Sequence, residues 1–383
     1  MFILVINCGS SSAKYQLFDM ARKDRTIARG VVERIGQSGS AMSHHASGRT
    51  VTKNGSCLDH YVAIRLIVDA LTIVQYGVIK SKGEIRGIGH RVVHGGEEFS
   101  ASTLITPKVI RSIEKYSELA PLHNPPSLLG IRACTRILGG IPQVAVFDTS
   151  FHQTMRPHAF LYGLPFGLYE KYAIRRYGFH GTSHRFVAAR APKLLKRPAK
   201  GLKIVTCHLG NGCSMAAVKD GVSVDTTMGF TPLEGLMMGT RSGDLDPAVV
   251  FFLMEKERLS PGRISDILNK ESGLLGVSGA GNDMRDILKA ARGRGARAER
   301  ANIAIAMFVY RIEKYIGAYQ AAMGGLDAVV FTAGIGEHNP WLVERIKRDL
   351  RNVVRPETKF LVIPTDEEFL IAQDTFRIVR SLN

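Results

Sequence analysis

The 383-residue sequence has no apolar run that approaches the about 18 residues that a transmembrane helix needs. Its apolar start, MFILVI, is interrupted by Asn7 and has neither a basic leader nor a cleavage site, so we expect no signal peptide. The five cysteines form no CxxC pair, and an odd number is typical of reduced thiols. We therefore predict a cytoplasmic protein with no membrane partner.

Acidic residues are scarce relative to basic ones. There are 34 Asp and Glu against 51 Lys and Arg, which gives a formal net charge of +17. Such a charge indicates nucleic acid, a membrane surface or anionic small molecules as partners. Residues 190–203 and 285–300 hold much of the excess, but neither segment interleaves the aromatic side chains on which bases stack. We predict no nucleic acid partner; a nucleic-acid binder is the alternative, and a salt-dependent gel shift tests it.

The most informative segment is residues 2–19, FILVINCGSSSAKYQLFD. An apolar run that ends at Asn7 predicts a buried strand, and residues 15–18 predict its hairpin partner. The turn between them offers backbone N–H groups, hydroxyls and Lys14, which suit a phosphate chain. It is not a Walker motif, because Lys14 does not follow a second glycine and no helix follows the turn. A plain hairpin is the alternative interpretation.

The same arrangement occurs twice more. Residues 203–219, KIVTCHLGNGCSMAAVK, again place a polar glycine turn between two apolar strands. Residues 328–338, AVVFTAGIGEH, run from a strand into a glycine-rich turn that opens a helix. Three such turns predict that two halves of a duplicated fold converge on one polyphosphate.

Helical and strand patterns alternate along the rest of the chain. Helices are predicted for residues 60–76, stopped by Gly77, and 298–323. Strands are predicted for residues 85–93, 143–148 and within 203–230. The polar residues 36–55 predict a surface loop or a short hairpin, and a compositional break at 150–170 is the best candidate for a domain boundary. The mixture predicts an α/β fold.

Taken together, the motifs resemble those of the acetate kinases, a family of the acetate and sugar kinase/Hsp70/actin superfamily. The matching segments follow one another in family order over nearly the whole chain: INCGSSSAK, GHRVVHGG, PLHNPP, FDTSFHQTM, RRYGFHGTSH, HLGNG, MGFTPLEGLMMGTRSGDLDP, DMRD, FTAGIGE and PTDEE. The resemblance implies a homodimer whose subunit has two duplicated ribonuclease H-like (actin-like ATPase) domains around a nucleotide cleft. The implied domains are residues 1–149 and 150–369, with a tail of about 370–383 packed on the first.

The activity that the resemblance implies is reversible, Mg²⁺-dependent transfer of the γ-phosphoryl group of ATP to acetate, with acetyl phosphate and ADP as products. A carboxylate substrate has a pKa of about 4–5 and is ionised at pH 7, so no general base is needed to make the nucleophile. Two anions must instead be brought together in line, which requires positive charge.

The resemblance assigns catalytic roles to four residues. Arg91 would hold the acyl carboxylate or phosphate, and Arg241 with His180 would stabilise the transition state. Asp148 would act electrostatically or through a Mg²⁺-bound water, and a structural cap at a strand end is the alternative. Mg²⁺, or Mn²⁺ in its place, would be held by Asn7 and Glu367, although Glu367 also fits an ordinary helix start. The acyl pocket would be lined by Val93, Leu122, Phe179 and Pro232.

The resemblance also assigns the ATP or ADP site. The residues that it assigns are Lys14, Ser10, Ser12, His208, Leu209, Gly210, Asn211, Gly212, Asp283, Met284, Arg285, Gly334, Ile335, Gly336, Glu337 and His338. His338 departs from the family pattern, in which asparagine is common after GIGE.

Two alternatives to an acetate kinase stay open. The first is a propionate or short-chain acyl kinase of the same family; valine at position 93 favours acetate, and one methylene is worth only about 1 kcal/mol of discrimination. The second is a non-enzymatic nucleotide switch of the actin or Hsp70 type, which would bind nucleotide without acetate-dependent turnover.

Overall fold

The structure, a computed structural model, describes residues 1–22 and 25–382. Its contacts divide the chain into two units, Met1–Gln153 with Asp366–Asn383, and Thr154–Thr365. The strands of the described residues are β1 (Phe2–Cys8), β2 (Ser12–Asp19), β3 (Arg25–Glu33), β4 (Ser40–Ala46), β5 (Arg49–Gly55), β6 (Ile85–Val92), β7 (Thr103–Leu104), β8 (Gln143–Phe147), β9 (Lys203–Leu209), β10 (Cys213–Lys219), β11 (Val222–Thr226), β12 (Ala328–Thr332) and β13 (Lys359–Val362).

Helices cover most of the remaining chain, and no helix within residues 1–22 and 25–382 is long and apolar enough to cross a membrane. The α-helices are α1 (His60–Thr72), α2 (Pro107–Lys115), α3 (Asn124–Ile137), α4 (Pro157–Phe160), α5 (Phe166–Tyr172), α6 (Gly181–Leu195), α7 (Pro247–Lys256), α8 (Pro261–Asp266), α9 (Gly273–Ser278), α10 (Met284–Ala291), α11 (Ala296–Met323), α12 (Ala333–His338), α13 (Pro340–Asp349) and α14 (Glu367–Arg380).

The two units share one strand topology. In the first, the central strands lie in the order β3-β2-β1-β6-β8, with β4 and β5 added at one edge and β7 at the other. The pairs β3/β2 and β2/β1 are antiparallel, and β1/β6 and β6/β8 are parallel. In the second, β11-β10-β9-β12-β13 repeats this order with the same strand directions. The predicted α/β fold of two duplicated ribonuclease H-like units is confirmed.

The hairpin at the start of the chain forms as predicted. β1 pairs with β2 from Phe2↔Asp19 to Cys8↔Ala13, and the Gly9 amide donates to the Ser12 carbonyl over 2.8 Å to close the turn. Because β1 lies between β2 and β6, both of its edges are paired and its apolar side chains are buried. Burial at this central position explains why its sequence is a continuous apolar run.

Helix α1 begins where the sequence predicts but ends earlier. The Asp59 carboxylate accepts from the Val62 amide over 2.9 Å and caps the helix. The helix ends at Thr72 rather than at residue 76, because the following segment folds back and the amides of Val78 and Ile79 both donate to the Leu71 carbonyl. A Cβ on Gly77 would lie 2.6 Å from the Ile73 carbonyl oxygen, so glycine belongs to this return turn rather than to the helix end.

Residues 36–55 contain a hairpin, so the loop interpretation of this segment is wrong and the short-hairpin interpretation is confirmed. β4 buries alternate residues, while β5 at the sheet edge is exposed at almost every position. Ser47 and Gly48, both with positive φ, form the turn between them. Because β5 is an exposed edge strand, its sequence is polar and shows no alternation of apolar and polar residues.

The longest predicted helix is confirmed. Helix α11 buries one apolar side and ends at Gly324, whose φ of 69° places it in the left-handed region. The amides of Gly324 and Gly325 return to the Ala321 and Gln320 carbonyls and satisfy the last turn.

The C-terminal helix α14 packs on the first sheet at two glycines of β6. A Cβ on Gly89 would lie 2.5 Å from the Ile371 Cγ2 and the Thr375 Oγ1, and one on Gly87 would lie 2.9 Å from Val379 Cγ2. Glycine at both positions therefore allows the helix backbone to approach the sheet closely. This packing places Glu367, the first residue of α14, in the first unit.

Candidate active site

Three predicted residues of the first unit lie at one edge of its sheet. The strands β1, β6 and β8 run parallel, so their carboxyl ends point the same way. Asn7 is the penultimate residue of β1, Arg91 is the penultimate residue of β6, and Asp148 directly follows β8. The carboxyl edge of parallel strands is where ligands bind in α/β sheets, and here it carries an amide, a guanidinium and a carboxylate.

Arg91 and Asp148 form a buried ion pair. Arg91 Nε donates to both carboxylate oxygens over 3.2 and 3.1 Å, and Nη2 donates to Oδ2 over 2.7 Å. The Asp148 side chain is 1% exposed and that of Arg91 is 24% exposed. Burial by itself lowers the pKa of Arg91, but the carboxylates of Asp148 and Glu367 raise it above its ordinary value. The guanidinium is therefore always charged, and its hydrogen bonds to Asp148 fix the orientation of its plane.

Glu367 starts helix α14 and also faces this ion pair. Asp366 is the N-cap, with its carboxylate accepting from the Phe369 amide over 3.0 Å, so the helix-start interpretation of the PTDEE segment is confirmed. Glu367 Oε2 lies 3.8 Å from Arg91 Nε. Burial raises the pKa of Glu367 to about 7, with Asp148 adding to the rise and Arg91 opposing it.

The oxygen atoms of this edge are the kind that Mg²⁺ binds. Asn7, which pairs with Lys14 across the β1/β2 hairpin, carries a carboxamide oxygen, and Glu367 carries a carboxylate. Within residues 1–22 and 25–382, no group of three or more His, Cys, Asp or Glu side chains could hold a metal ion by itself. Mg²⁺ typically takes one or two carboxylates and completes its shell with water and substrate phosphate oxygens, so this donor set fits it.

The turn after β1 presents the predicted phosphate donors to solvent. Ser10 and Lys14 are exposed and Ser12 is half-buried. The turn itself is held from below, because His60 Nε2 lies 2.8 Å from the Gly9 carbonyl oxygen. Donors that are accessible on a fixed turn suit a phosphate chain.

In the second unit, His180 and Arg241 converge on Gly212. A Cβ on Gly212 would lie 3.3 Å from His180 Cε1, 3.4 Å from His180 Nε2 and 3.6 Å from Arg241 Nη1. His180 has a φ of 54° and is the N-cap of α6, an uncommon conformation that turns the imidazole toward this point. Burial lowers the pKa of Arg241 from its ordinary value. The absence of a side chain at Gly212 leaves space between an imidazole and a guanidinium.

Hydroxyl groups orient the imidazoles around this point. His180 Nδ1 lies 2.9 Å from Ser214 Oγ, which also lies 2.7 Å from His184 Nε2. The His208 ring stacks on that of His180 with centroids 4.2 Å apart, and its Nδ1 lies 2.8 Å from Ser183 Oγ. Sequence reasoning missed both serines, although Ser214 follows a predicted glycine turn and Ser183 lies within the YGFHGTSH segment.

A cavity of about 600 Å³ in the second unit gathers eight of the residues predicted for the nucleotide. They are Gly210, Asn211, Asp283, Met284, Arg285, Gly334, Ile335 and His338. The cavity is also lined by Asn282 and Asn339, which the sequence analysis missed although each adjoins a predicted segment. Asn282 Nδ2 donates to Asn211 Oδ1 over 3.2 Å and so joins two walls of the cavity.

The remaining predicted nucleotide residues of the second unit lie outside the lining of this cavity. His208 and Leu209 are buried at the end of β9, and Gly212 lies at the His180–Arg241 convergence. Gly336 is buried within α12, since the predicted glycine turn is itself a short helix. Glu337 accepts from the amides of Ala333 over 2.7 Å and Thr365 over 3.2 Å, so its carboxylate ties two strand ends together.

The predicted acyl residues differ in exposure. Val93 and Phe179 are 8% and 2% exposed, whereas Leu122 is 65% exposed and Pro232 is partly buried. Val93 and Leu122 belong to the first unit, and Phe179 and Pro232 to the second. Their shared role in an acyl pocket stays a prediction.

The fold and these side chains define a class of protein. Two ribonuclease H-like units, a glycine-bordered cavity and charged groups at the ends of parallel strands are features of the two-domain phosphotransferases. The Acetokinase family model matches residues 2–355, and the chain belongs to this family.

Named relatives are similar over their full length. The acetate kinase of Desulfitobacterium hafniense (strain DSM 10664 / DCB-2) is 54% identical over 401 residues, covering 99% of this chain and 100% of that protein. The crystal structure of Porphyromonas gingivalis acetate kinase is similar at a TM-score of 0.93 and 46% identity, covering 99% of each chain. A propionate kinase from Francisella tularensis subsp. tularensis SCHU S4 has a TM-score of 0.90 and 39% identity, covering 98% of this chain and 99% of that one.

Proposed function

We propose that this protein is an acetate kinase, which transfers the γ-phosphoryl group of ATP to acetate and catalyses the reverse reaction. The observation that carries the proposal is the permanently charged Arg91 at the carboxyl edge of the first sheet, in a chain 54% identical to a protein named acetate kinase. A site for two anions needs such a fixed positive charge and has no need of a general base.

In the first unit, Arg91 would bind the acyl carboxylate or acyl phosphate. Asp148 takes the Nε–H donor and one Nη2–H donor, so the ligand would be bound by the remaining guanidinium donors. A guanidinium whose plane is fixed can bind two oxygens of one anion in parallel. Asp148 then serves to orient Arg91 and to balance its charge rather than to remove a proton.

In the second unit, His180 and Arg241 would stabilise the charge on the phosphoryl group. The space above Gly212 is bordered by both side chains, which lie within 3.3–3.6 Å of the Cβ position that glycine leaves empty. The nucleotide would occupy the cavity bordered by Gly210, Asp283 and Gly334. Lys14, Ser10 and Ser12, at the turn after β1 in the first unit, would contribute donors to a phosphate chain.

Mg²⁺ would be held by Asn7 and Glu367. When bound, it would neutralise phosphate charge during transfer. The raised pKa of Glu367 reflects a carboxylate that is partly desolvated and only partly compensated by Arg91. A bound divalent cation would supply the missing positive charge.

We also propose that the protein is a homodimer. Two helices of the second unit expose large apolar side chains: Phe251 and Phe252 of α7 at 69% and 58%, and Tyr310 of α11 at 62%. Burial of such side chains against a second copy would stabilise a dimer. Light scattering of the wild type and of Phe251→Glu tests this, with a dimer expected for the first and dissociation for the second.

The decisive experiment measures acyl phosphate by hydroxylamine trapping and ADP formation with MgATP and acetate, propionate or butyrate. Acetate is expected to give the highest kcat/KM, and Arg91→Ala is expected to abolish turnover. Arg86→Ala is the matched control, because Arg86 lies on the same strand with an exposed side chain.

The second candidate function is that of a propionate kinase, favoured by the similarity to the Francisella protein. A higher kcat/KM for propionate than for acetate would replace the first proposal by the second. Nucleotide binding without acyl phosphate from any of the three acids would contradict both.

A further inference from the structure

The loop between β11 and α7 carries Pro232 and Arg241. Three side chains of the second unit form a hydrogen-bonded cluster that holds this loop. The Arg176 guanidinium donates through Nη2 to Glu234 Oε1 over 2.5 Å. Through Nη1 it also donates to the carbonyls of Thr226 and Thr227 over 2.9 and 3.0 Å. Arg176 thereby joins the end of β11 to the far side of the loop. We call Tyr162, Arg176 and Glu234 the loop clamp.

Tyr162 completes the clamp with a single hydroxyl. Its Oη accepts from the Phe230 amide over 2.8 Å and donates to Glu234 Oε2 over 2.5 Å. A Cβ on Gly229 would lie 1.8 Å from Glu234 Oε2 and 2.2 Å from Tyr162 Oη, so only glycine leaves room for this contact. One hydroxyl therefore fixes the backbone at residue 230 and the side chain at residue 234.

The carbonyl of Pro232 connects the clamp to Arg241. Pro232 lies midway between the two clamped positions, and its carbonyl oxygen accepts from Arg241 Nη1 over 3.1 Å. The position of this oxygen depends on where the clamp holds residues 230 and 234. The same oxygen holds one N–H of a partly buried guanidinium, whose pKa is lowered by burial.

The backbone of Arg241 is held independently of the clamp. The Met238 amide donates to the Arg241 carbonyl over 3.1 Å, and the Ser242 amide donates to Leu268 over 3.0 Å. Asp244 accepts from the Gly235 amide over 2.8 Å and from Tyr315 Oη over 2.7 Å. Loss of the clamp should therefore leave the fold of the loop intact and release the Arg241 side chain.

We propose that Tyr162, Arg176 and Glu234 are positioning residues for the phosphoryl transfer, which set the direction of the Arg241 guanidinium through the Pro232 carbonyl. The inference rests on the proposed function. None of the three is a catalytic residue, because each acts through the loop.

The test is Tyr162→Phe, which removes only the hydroxyl. The kcat for acetate, per folded molecule and well below the melting temperature, is expected to fall about 10- to 100-fold, the range for a lost hydrogen bond to a charged group. The KM for MgATP is expected to stay within about twofold, because the nucleotide cavity is lined by other residues than the clamp. A twofold change in KM is only a small difference in binding free energy. Tyr172→Phe is the matched control, since its side chain is 53% exposed in the same unit.

Glu234→Gln gives a second variant that keeps an acceptor for Tyr162 and loses the ion pair with Arg176. Its kcat is expected to lie between those of the wild type and Tyr162→Phe. A kcat within about threefold of the wild type in both variants would overturn the proposal. Equal losses in kcat and MgATP affinity, together with a lowered melting temperature, would also overturn it, since that pattern indicates a purely structural role.

Hydrogen–deuterium exchange separates this proposal from the proposed function, because it needs no activity. Faster exchange of residues 228–234 in Tyr162→Phe, with residues 238–242 and 203–219 unchanged, is expected if the clamp holds the loop. Unchanged exchange of residues 228–234 would overturn the clamp. A wild type that makes no acyl phosphate would contradict the proposed function while the exchange result still decides whether the clamp exists.

Discussion

Replacement of Arg91 by alanine should affect stability and activity in ways that can be separated. Arg91 makes three hydrogen bonds to the Asp148 carboxylate, which is 1% exposed. Removing the guanidinium leaves the buried Asp148 carboxylate without its compensating charge, whereas replacing both partners by neutral side chains costs much less stability. The expected loss of stability therefore comes from the Asp148 charge that remains.

The magnitude follows from the burial of the pair. Breaking a buried ion pair costs about 3–5 kcal/mol, and we take about 3 kcal/mol because a quarter of the Arg91 side chain is exposed. The first unit, Met1–Gln153 with Asp366–Asn383, has a size at which 1 kcal/mol corresponds to roughly 2–4 °C. Arg91→Ala should thus lower the melting temperature by about 6–12 °C.

The double variant Arg91→Ala/Asp148→Asn provides the separation. The neutral carboxamide introduced at position 148 removes the uncompensated charge, so most of the decrease in melting temperature should be reversed. Acetate-dependent hydroxamate formation should stay lost. Differential scanning calorimetry and the trapping assay on the same samples measure both. An unchanged melting temperature in Arg91→Ala would refute the buried-pair argument, and recovered turnover in the double variant would refute the role of Arg91 in binding the acyl group.

Three other perturbations give further expected outcomes. Gly212→Ala places a methyl group 3.3 Å from His180 Cε1 and should lower kcat about tenfold or more at an unchanged melting temperature. Gly163→Ala is the control, because nothing lies within 4 Å of a Cβ at that position. Equal kcat values for the two variants would contradict the convergence of His180 and Arg241 on Gly212. Val93→Ala should raise the propionate-to-acetate ratio of kcat/KM about fourfold, as one methylene is worth about 0.8 kcal/mol, and an unchanged ratio would remove Val93 from the acyl pocket. Burial lowers the pKa of His90 to about 4. Because the unfolded state then binds the proton more readily, the free energy of unfolding should fall by about 1.4 kcal/mol per pH unit as the pH drops from about 6.5 toward 4. Urea unfolding at pH 7, 6 and 5 measures this free energy. In His90→Gln it should depend less steeply on pH than in the wild type. The same dependence on pH in both proteins would exclude His90 as a contributor.

Local sequence patterns were sufficient for much of the fold. The apolar run of β1, the amphipathic period of α11 and the glycine after it all predict elements that the structure contains. These signals are local, because alternation of apolar and polar residues directly reflects which side of an element is buried. Where burial is weak, the signal fails, as in the exposed strand β5.

Helix boundaries and glycine conformations were harder to predict. Gly334 and Gly336 lie in helix α12, although glycine disfavours helices, because the Glu337 carboxylate accepts from the Ala333 amide and stabilises the first turn. Helix α1 ends four residues early because the following backbone returns to Leu71. Both outcomes depend on contacts that no short window of sequence contains.

The sequence by itself determined the order of the strand–turn units, their duplication and the family to which the chain belongs, because those features are written in local hydrophobic periods and contiguous motifs. Only the tertiary structure decided which charged groups meet. Arg91 and Asp148 are 57 residues apart and are joined by the parallel pairing of β6 with β8, and Tyr162 and Glu234 are 72 residues apart and are joined at one hydroxyl. Contacts of this kind arise from strand register and from the space that Gly212 and Gly229 leave, which are properties of packed chains rather than of neighbouring residues.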